Sequence, residues 1–170
     1  MALHWVPAAE RTDLLADPVA HAVAGMEGVE VAEIDPDLAD TAAFCERYGV
    51  RLDESANCVV VAAKRGGETR YAACMVLATM RVDVNGVVRR HLDTRKASFA
   101  PMADAVELTG MEYGGITPLG LPDDWPILVD AHVAEHPRVV IGSGVRRSKL
   151  ALSGAALSGL KRAEVLALAN

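Results

Sequence analysis

The chain has 170 residues, a formal net charge of −6 and an apolar content of 51%, chiefly Ala, Val and Leu. That length fits one domain, and that apolar content supports a packed core, which excludes an intrinsically disordered chain. The acidic balance excludes a generic polyanion binder, and two Trp, three Tyr and two Phe are too few to build the core, which must be aliphatic.

Glu10 to Ala24 reads as one or two short helices, with Asp17-Pro18 as a cap followed by a first-turn proline. Val29 to Ile34 alternates apolar with acidic residues, the period of a strand. Asp37 opens a helix that carries Leu38, Ala42 and Cys45 on one face and stops at Gly49. Cys58–Ala63 and Tyr71–Leu77 form a hairpin turned by Arg65-Gly66-Gly67-Glu68. Arg81–Val84 and Val87–Arg90 flank Asn85-Gly86, a strong short hairpin signal. Asp93 caps a short helix ending before Pro101, and Ala103–Thr109 forms a second one closed by Gly110. Short strands follow at Ile127–Val129, Arg138–Ile141 and Lys149–Leu152. Ser153 then caps a C-terminal helix anchored by Leu157, Leu160, Val165 and Leu168. Hairpins interleaved with helices predict one α/β (α+β) domain over residues 1–170 with a mixed β-sheet, and residues 1–28 as a helical N-terminal extension.

Charge is uneven along the chain. Residues 1–48 carry ten acids and two bases, whereas residues 138–162 carry Arg138, Arg146, Arg147, Lys149, Lys161 and Arg162 and no acid. Such a basic third either holds a short piece of nucleic acid or is a solvated face. The three cysteines, Cys45, Cys58 and Cys74, form no Cys-x-x-Cys pair, and Cys58 and Cys74 sit in apolar runs, as buried free thiols do in a reducing compartment. The N-terminus lacks a signal-peptide pattern, and no apolar run is long enough to span a membrane. The expected location is cytoplasmic.

The densest chemical signal is Gly114-Gly115-Ile116-Thr117-Pro118-Leu119-Gly120, followed by Asp130. Three glycines and a proline in seven residues make an irregular loop whose peptide N–H groups can converge on one oxygen. A second glycine turn, Gly142-Ser143-Gly144-Val145-Arg146-Arg147, follows the strand ending at Ile141. Two rivals are weaker. His132-Val133-Ala134-Glu135-His136 has the His-x-x-Glu-His spelling of some zinc peptidases, but Pro137 follows at once and no third ligand is evident. No cysteine has an activating motif, and no phosphate loop or dinucleotide fingerprint is present.

The ordered series from Leu108-Thr109-Gly110 through the Gly114–Gly120 loop and Ile127-Leu128-Val129-Asp130 to the second glycine turn resembles the YbaK-type aminoacyl-tRNA editing family, over about residues 29–165. The resemblance implies a mixed sheet, partly barrel-like, surrounded by helices. It implies a deacylase without a cofactor or metal, acting in trans on mischarged tRNA, most often the tRNA for proline. The partner would be the aminoacylated acceptor end. Gly114 and Gly115 would donate to the ester carbonyl, with Asn57 as a third catalytic group. Thr117, Pro118, Asp130, Gly142, Ser143, Gly144, Arg146 and Arg147 would bind substrate. Three departures stand out. The family's lysine before the first apolar strand falls at Ala56, its serine before the second glycine turn falls at Gly142, and an acid common downstream falls near Lys149. The alternative expectation is therefore a non-catalytic protein of the same fold that binds aminoacyl-tRNA or its acceptor end. The oligomeric state is not legible.

Overall fold

A computed structural model describes residues 2–170. The strands are β1 (Val6–Pro7), β2 (Glu30–Glu33), β3 (Ala56–Arg65), β4 (Glu68–Leu77), β5 (Lys96–Phe99), β6 (Ile127–Asp130), β7 (Val139–Gly142), β8 (Ser148–Leu152) and β9 (Ala163–Leu166). The helices are α1 (Asp17–Val23), α2 (Thr41–Tyr48), α3 (Arg89–His91), α4 (Met102–Thr109), α5 (Ala131–Ala134) and α6 (Gly154–Ser158). The larger sheet has the order β5-β3-β4-β6-β9 and is mixed, because β4, β6 and β9 run parallel while β5, β3 and β4 are antiparallel. The smaller sheet, β1-β2-β8-β7, is antiparallel throughout. One parallel bridge, Ser55 to Val140, links them, so the expected barrel-like closure is partial.

Period-two alternation decides which faces meet. Leu150 and Leu152 of β8 and Ile141 of β7 pack against Met75, Leu77 and Val129 of the larger sheet, with Val19 and Val23 of α1, to form the main core. Val140 and Ala151 point the other way and lie beneath Phe44 and Cys45 of α2. The outer face of the larger sheet, with Val61, Cys74 and Leu128, is covered by Val84, Val88 and Leu168.

Glycine ends two of the expected helices as predicted: Gly49 after α2 (φ 71°) and Gly110 after α4 (φ 68°) are both left-handed. Three expectations fail. Asn85-Gly86 makes no hairpin; Val84–Val88 is a π-helical turn leading into α3. The Asp83 carboxylate accepts the Gly86 and Val87 N–H groups at 3.0 and 3.3 Å, and burial of Val84 and Val88 at helical spacing outweighs the local turn preference. Asp93 starts no helix: its φ is 52°, and the next residues form β5, drawn into pairing by the open edge of β3. Ser153 does cap a helix, accepting from Ala156 N–H at 3.0 Å, but α6 ends at Ser158. Val165 then lies in β9, beside β6, because the parallel edge of β6 pairs it.

Candidate active site

The glycine loop is pinned before it is functional. Gly115 N–H donates to Glu112 O at 3.0 Å, Gly144 N–H to Gly115 O at 2.7 Å, and Glu112 N–H to Gly144 O at 2.8 Å. A Cβ on Gly115 would lie 2.9 Å from the main chain of Val145, and one on Gly142 would lie 2.6 Å from Gly115 O. The two glycine segments therefore pack backbone against backbone, a contact that only glycine permits. The donor role expected of Gly115 is not open to it in this geometry, since its N–H is already spent inside the turn.

Beside this clamp lies a cleft of about 380 Å³, within the usual range of small-molecule sites. The loop contributes Gly114 and Ile116, the start of β3 contributes Asn57, and the β7–β8 pair contributes Gly142 and Lys149. Among the described residues, neither the Gly114 nor the Ile116 N–H has a protein acceptor. Asn57 accepts the Thr41 hydroxyl at 2.7 Å through Oδ1, which leaves its amide N–H groups free to donate. Cys58 also lines the cleft, but burial, reinforced by Cys74, pushes its thiol pKa up, so it holds its proton. Met102 and Tyr113, both exposed, stand at the rim.

Lys149 stands out in the sequence as a departure from the family pattern, but sequence reasoning does not assign it to the site. Alternation along β8 places it with Ala151 on the face covered by α2, so it is buried, at 7% exposure. Its Nζ donates to Ala39 O at 2.7 Å and lies 5.2 Å from the centroid of the Phe44 ring. No carboxylate forms an ion pair with it among the described residues. Burial lowers its pKa to about 8, Cys45 and Asp40 partly opposing and Arg146 adding to the effect. The departure pattern thus reads differently in three dimensions. Ala56 and Lys149 line one cleft, so the cation missing at the first position is present at the second. A lysine between buried neighbours in an apolar strand was the available signal.

The other expected substrate contacts scatter. Thr117 is fully buried and its hydroxyl has no partner among the described residues. Pro118 lines a separate cavity with Leu121 and Trp125. Asp130 is fully buried: it accepts from the His132, Leu168 and Ala169 N–H groups at 3.1 Å each, capping α5 and tethering the C-terminal segment. Ser143 Oγ donates within the turn, to Ser148 O at 3.0 Å, and Gly144 (φ 89°) packs on Ala16 and Val19. Arg147 reaches away to Asp13 O at 2.7 Å. Arg146 does not itself line the cleft but donates to two residues that do, Asp40 and Tyr113 through its carbonyl, and to Pro36 O. The basic third of the chain is therefore no single patch: Lys149 is buried, and Arg138 pairs with Glu30 beside Trp5.

The two histidines of the metal-like spelling go to different partners. His132 Nδ1 meets Asp130 at 2.9 Å and His136 Nε2 meets Asp53 O at 3.0 Å. No group of three or more His, Cys, Asp or Glu among the described residues could hold a metal ion. No helix among them is long and apolar enough to cross a membrane.

A family model described as aminoacyl-tRNA editing domain matches residues 35–160, most of the chain. Comparison with curated proteins gives no match. Among solved structures, a scaffold protein from epitope grafting by computational design is 21% identical with a TM-score of 0.78, covering 91% of this chain and 97% of its own. A protein described as a candidate trans-editing enzyme for prolyl tRNA synthetase is 20% identical with a TM-score of 0.73, covering 97% and 98%. These likenesses establish the fold.

Proposed function

This chain belongs to the aminoacyl-tRNA editing domain family, and we propose that it is a deacylase that hydrolyses the ester between an amino acid and the terminal ribose of a mischarged tRNA, in trans. The observation that carries this reading is the cleft beside the glycine loop. Gly114, Ile116 and Asn57 line it, and the Gly114 and Ile116 N–H groups and the Asn57 amide have no acceptor among the described residues, so we read them as the donors that meet the ester carbonyl.

Ester hydrolysis asks for little else. Water adds to the carbonyl carbon, the carbonyl electron pair moves onto oxygen, and the tetrahedral intermediate expels the ribose oxygen, which takes a proton. The products are a free amino acid and an uncharged acceptor end. Preorganised donors stabilise the oxyanion, one such donor being worth about 3–4 kcal/mol in enzymes generally. The adjacent ribose hydroxyl of the substrate can position the water. Selection among amino acids would then rest on size, since one methylene is worth only about 1–3 kcal/mol in a pocket. The adenine would lie at the rim, where exposed Tyr113 offers a face for stacking.

The tRNA for proline is the first substrate to test, because a protein of this fold is described as a candidate trans-editing enzyme for prolyl tRNA synthetase. The site of action would be the cytoplasm, where aminoacyl-tRNA is used. A panel of mischarged tRNAs, led by tRNA for proline carrying a small non-cognate amino acid, is expected to show enzyme-dependent release. No turnover above buffer on any member would reject the deacylase reading, and saturable tRNA binding without turnover would identify a binding protein of the same fold.

A further inference from the structure

We propose that Lys149 is a catalytic residue of this cleft, its ammonium being the charge that stabilises the oxyanion formed on the substrate's ester carbonyl. The inference rests on the deacylase reading for its reaction, and on the protein alone for its geometry.

A buried cation without a carboxylate is an unfavourable thing to keep. Isolated buried charges are usually paired, neutralised or replaced by apolar groups of the same volume, and the last change is often stabilising. Lys149 is not paired. Among the described residues its one hydrogen-bond partner is the neutral carbonyl of Ala39, and the centroid of the Phe44 ring lies 5.2 Å from Nζ. Both contacts suit an ammonium and neither cancels its charge. One proton is used on Ala39 O, so two remain for a further acceptor, and Lys149 lines the cleft.

Asp40 lines the same cleft and acts on Lys149 without forming an ion pair with it, so a counter-charge in direct contact is what the reaction supplies. The ester carbonyl is neutral in the ground state and becomes an oxyanion when water adds to its carbon. That charge is lost again as the ribose oxygen departs with a proton. A cation that meets this charge only between those two events binds the transition state better than the substrate. Gly114, Ile116 and Asn57 offer dipolar donors, and Lys149 is the full positive charge buried in the same wall. Arg146 does not line the cleft and is held by Asp40 and two carbonyls.

The test compares wild-type protein with Lys149→Met and Lys149→Arg. Two probes are used: the tetrahedral phosphonate analogue of alanyl-adenosine, anionic at the reacting centre, and alanyl-adenosine amide, uncharged at that centre; both carry the same α-ammonium. In Lys149→Met the phosphonate is expected to bind at least about tenfold more weakly while amide affinity changes less than about threefold. Lys149→Arg is expected to recover part of the phosphonate affinity. On a turned-over aminoacyl-tRNA, Lys149→Met should lower kcat about 100- to 1,000-fold with little change in KM. Equal losses for both probes, or no loss for either, would overturn the assignment. A melting temperature of Lys149→Met at or above that of wild type shows that any loss is not misfolding, and Lys149→Gln serves if Met fails to fold. A wild type that hydrolyses no aminoacyl-tRNA would overturn the deacylase reading and the catalytic role with it, whereas turnover with equal losses for both probes would overturn the Lys149 assignment alone.

Discussion

The guanidinium of Arg146 occupies the space that a side chain on Gly114 would need. Arg146 Nη1 is the atom nearest to a Cβ built there, and the same Nη1 donates to Tyr113 O at 3.2 Å and to Asp40 at 3.3 Å. The absence of a side chain at one position thus lets a cation fold over the loop and tie it to the start of α2.

Gly114→Ala is expected to cut deacylation by at least about tenfold. The substitution strains a residue at φ 80° by about 1–2 kcal/mol and drives Arg146 off the loop. If displacement of Arg146 is the main cause, Gly114→Ala and Arg146→Ala will be non-additive in kcat/KM. Additive effects would separate the two residues.

Gly142→Ala and Gly115→Ala are expected to destabilise the fold, by about 1–3 kcal/mol each, because the new methyl meets main-chain atoms that cannot swing aside. Thermal melts check this. Gly25→Ala is the control, with open space around its Cβ and no positive φ.

Lys149 should make stability rise with pH. Its folded pKa of about 8 lies below the ordinary 10.5, so between those values the unfolded chain binds more protons than the folded one. Below about pH 8 the buried charge costs on the order of 3 kcal/mol, and that cost fades as pH climbs through 8 toward 10.5. The groups acting on it are Cys45, Asp40 and Arg146. Melting curves from pH 7 to pH 10 should show the rise in wild type, and Lys149→Met should flatten it and melt higher at pH 7.

Thr117→Val should be neutral or stabilising by about 1 kcal/mol, since it removes a fully buried hydroxyl that has no partner among the described residues and keeps the shape. A melting temperature several degrees lower would mean that the hydroxyl has a partner in solution, such as a bound water.

Much of this protein is local in origin and was therefore legible. The β3–β4 hairpin follows from two apolar runs around Gly66-Gly67, and α2 and α4 end where Gly49 and Gly110 allow a left-handed residue. The family resemblance rests on the ordered glycine segments, and the match over residues 35–160 agrees with it. What failed was non-local. Asn85-Gly86 has the chemistry of a hairpin, yet Val84 and Val88 gain more by covering the larger sheet. Asp130 and Ser143 look like site residues because they border the glycine segments, but their side chains turn inward to satisfy buried N–H and C=O groups.

Composition, glycine placement and period-two patterning by themselves determined that the chain has a mixed α/β fold with an irregular loop built for close backbone approach. Only the tertiary structure decided which side of that loop faces a cleft, and which charge faces it. Lys149 belongs to a strand 35 residues beyond Gly114, and its burial comes from α2 closing over β8. Local spacing sets which way a side chain points, but its burial depends on what folds over it, and that is settled by contacts between segments far apart in the chain.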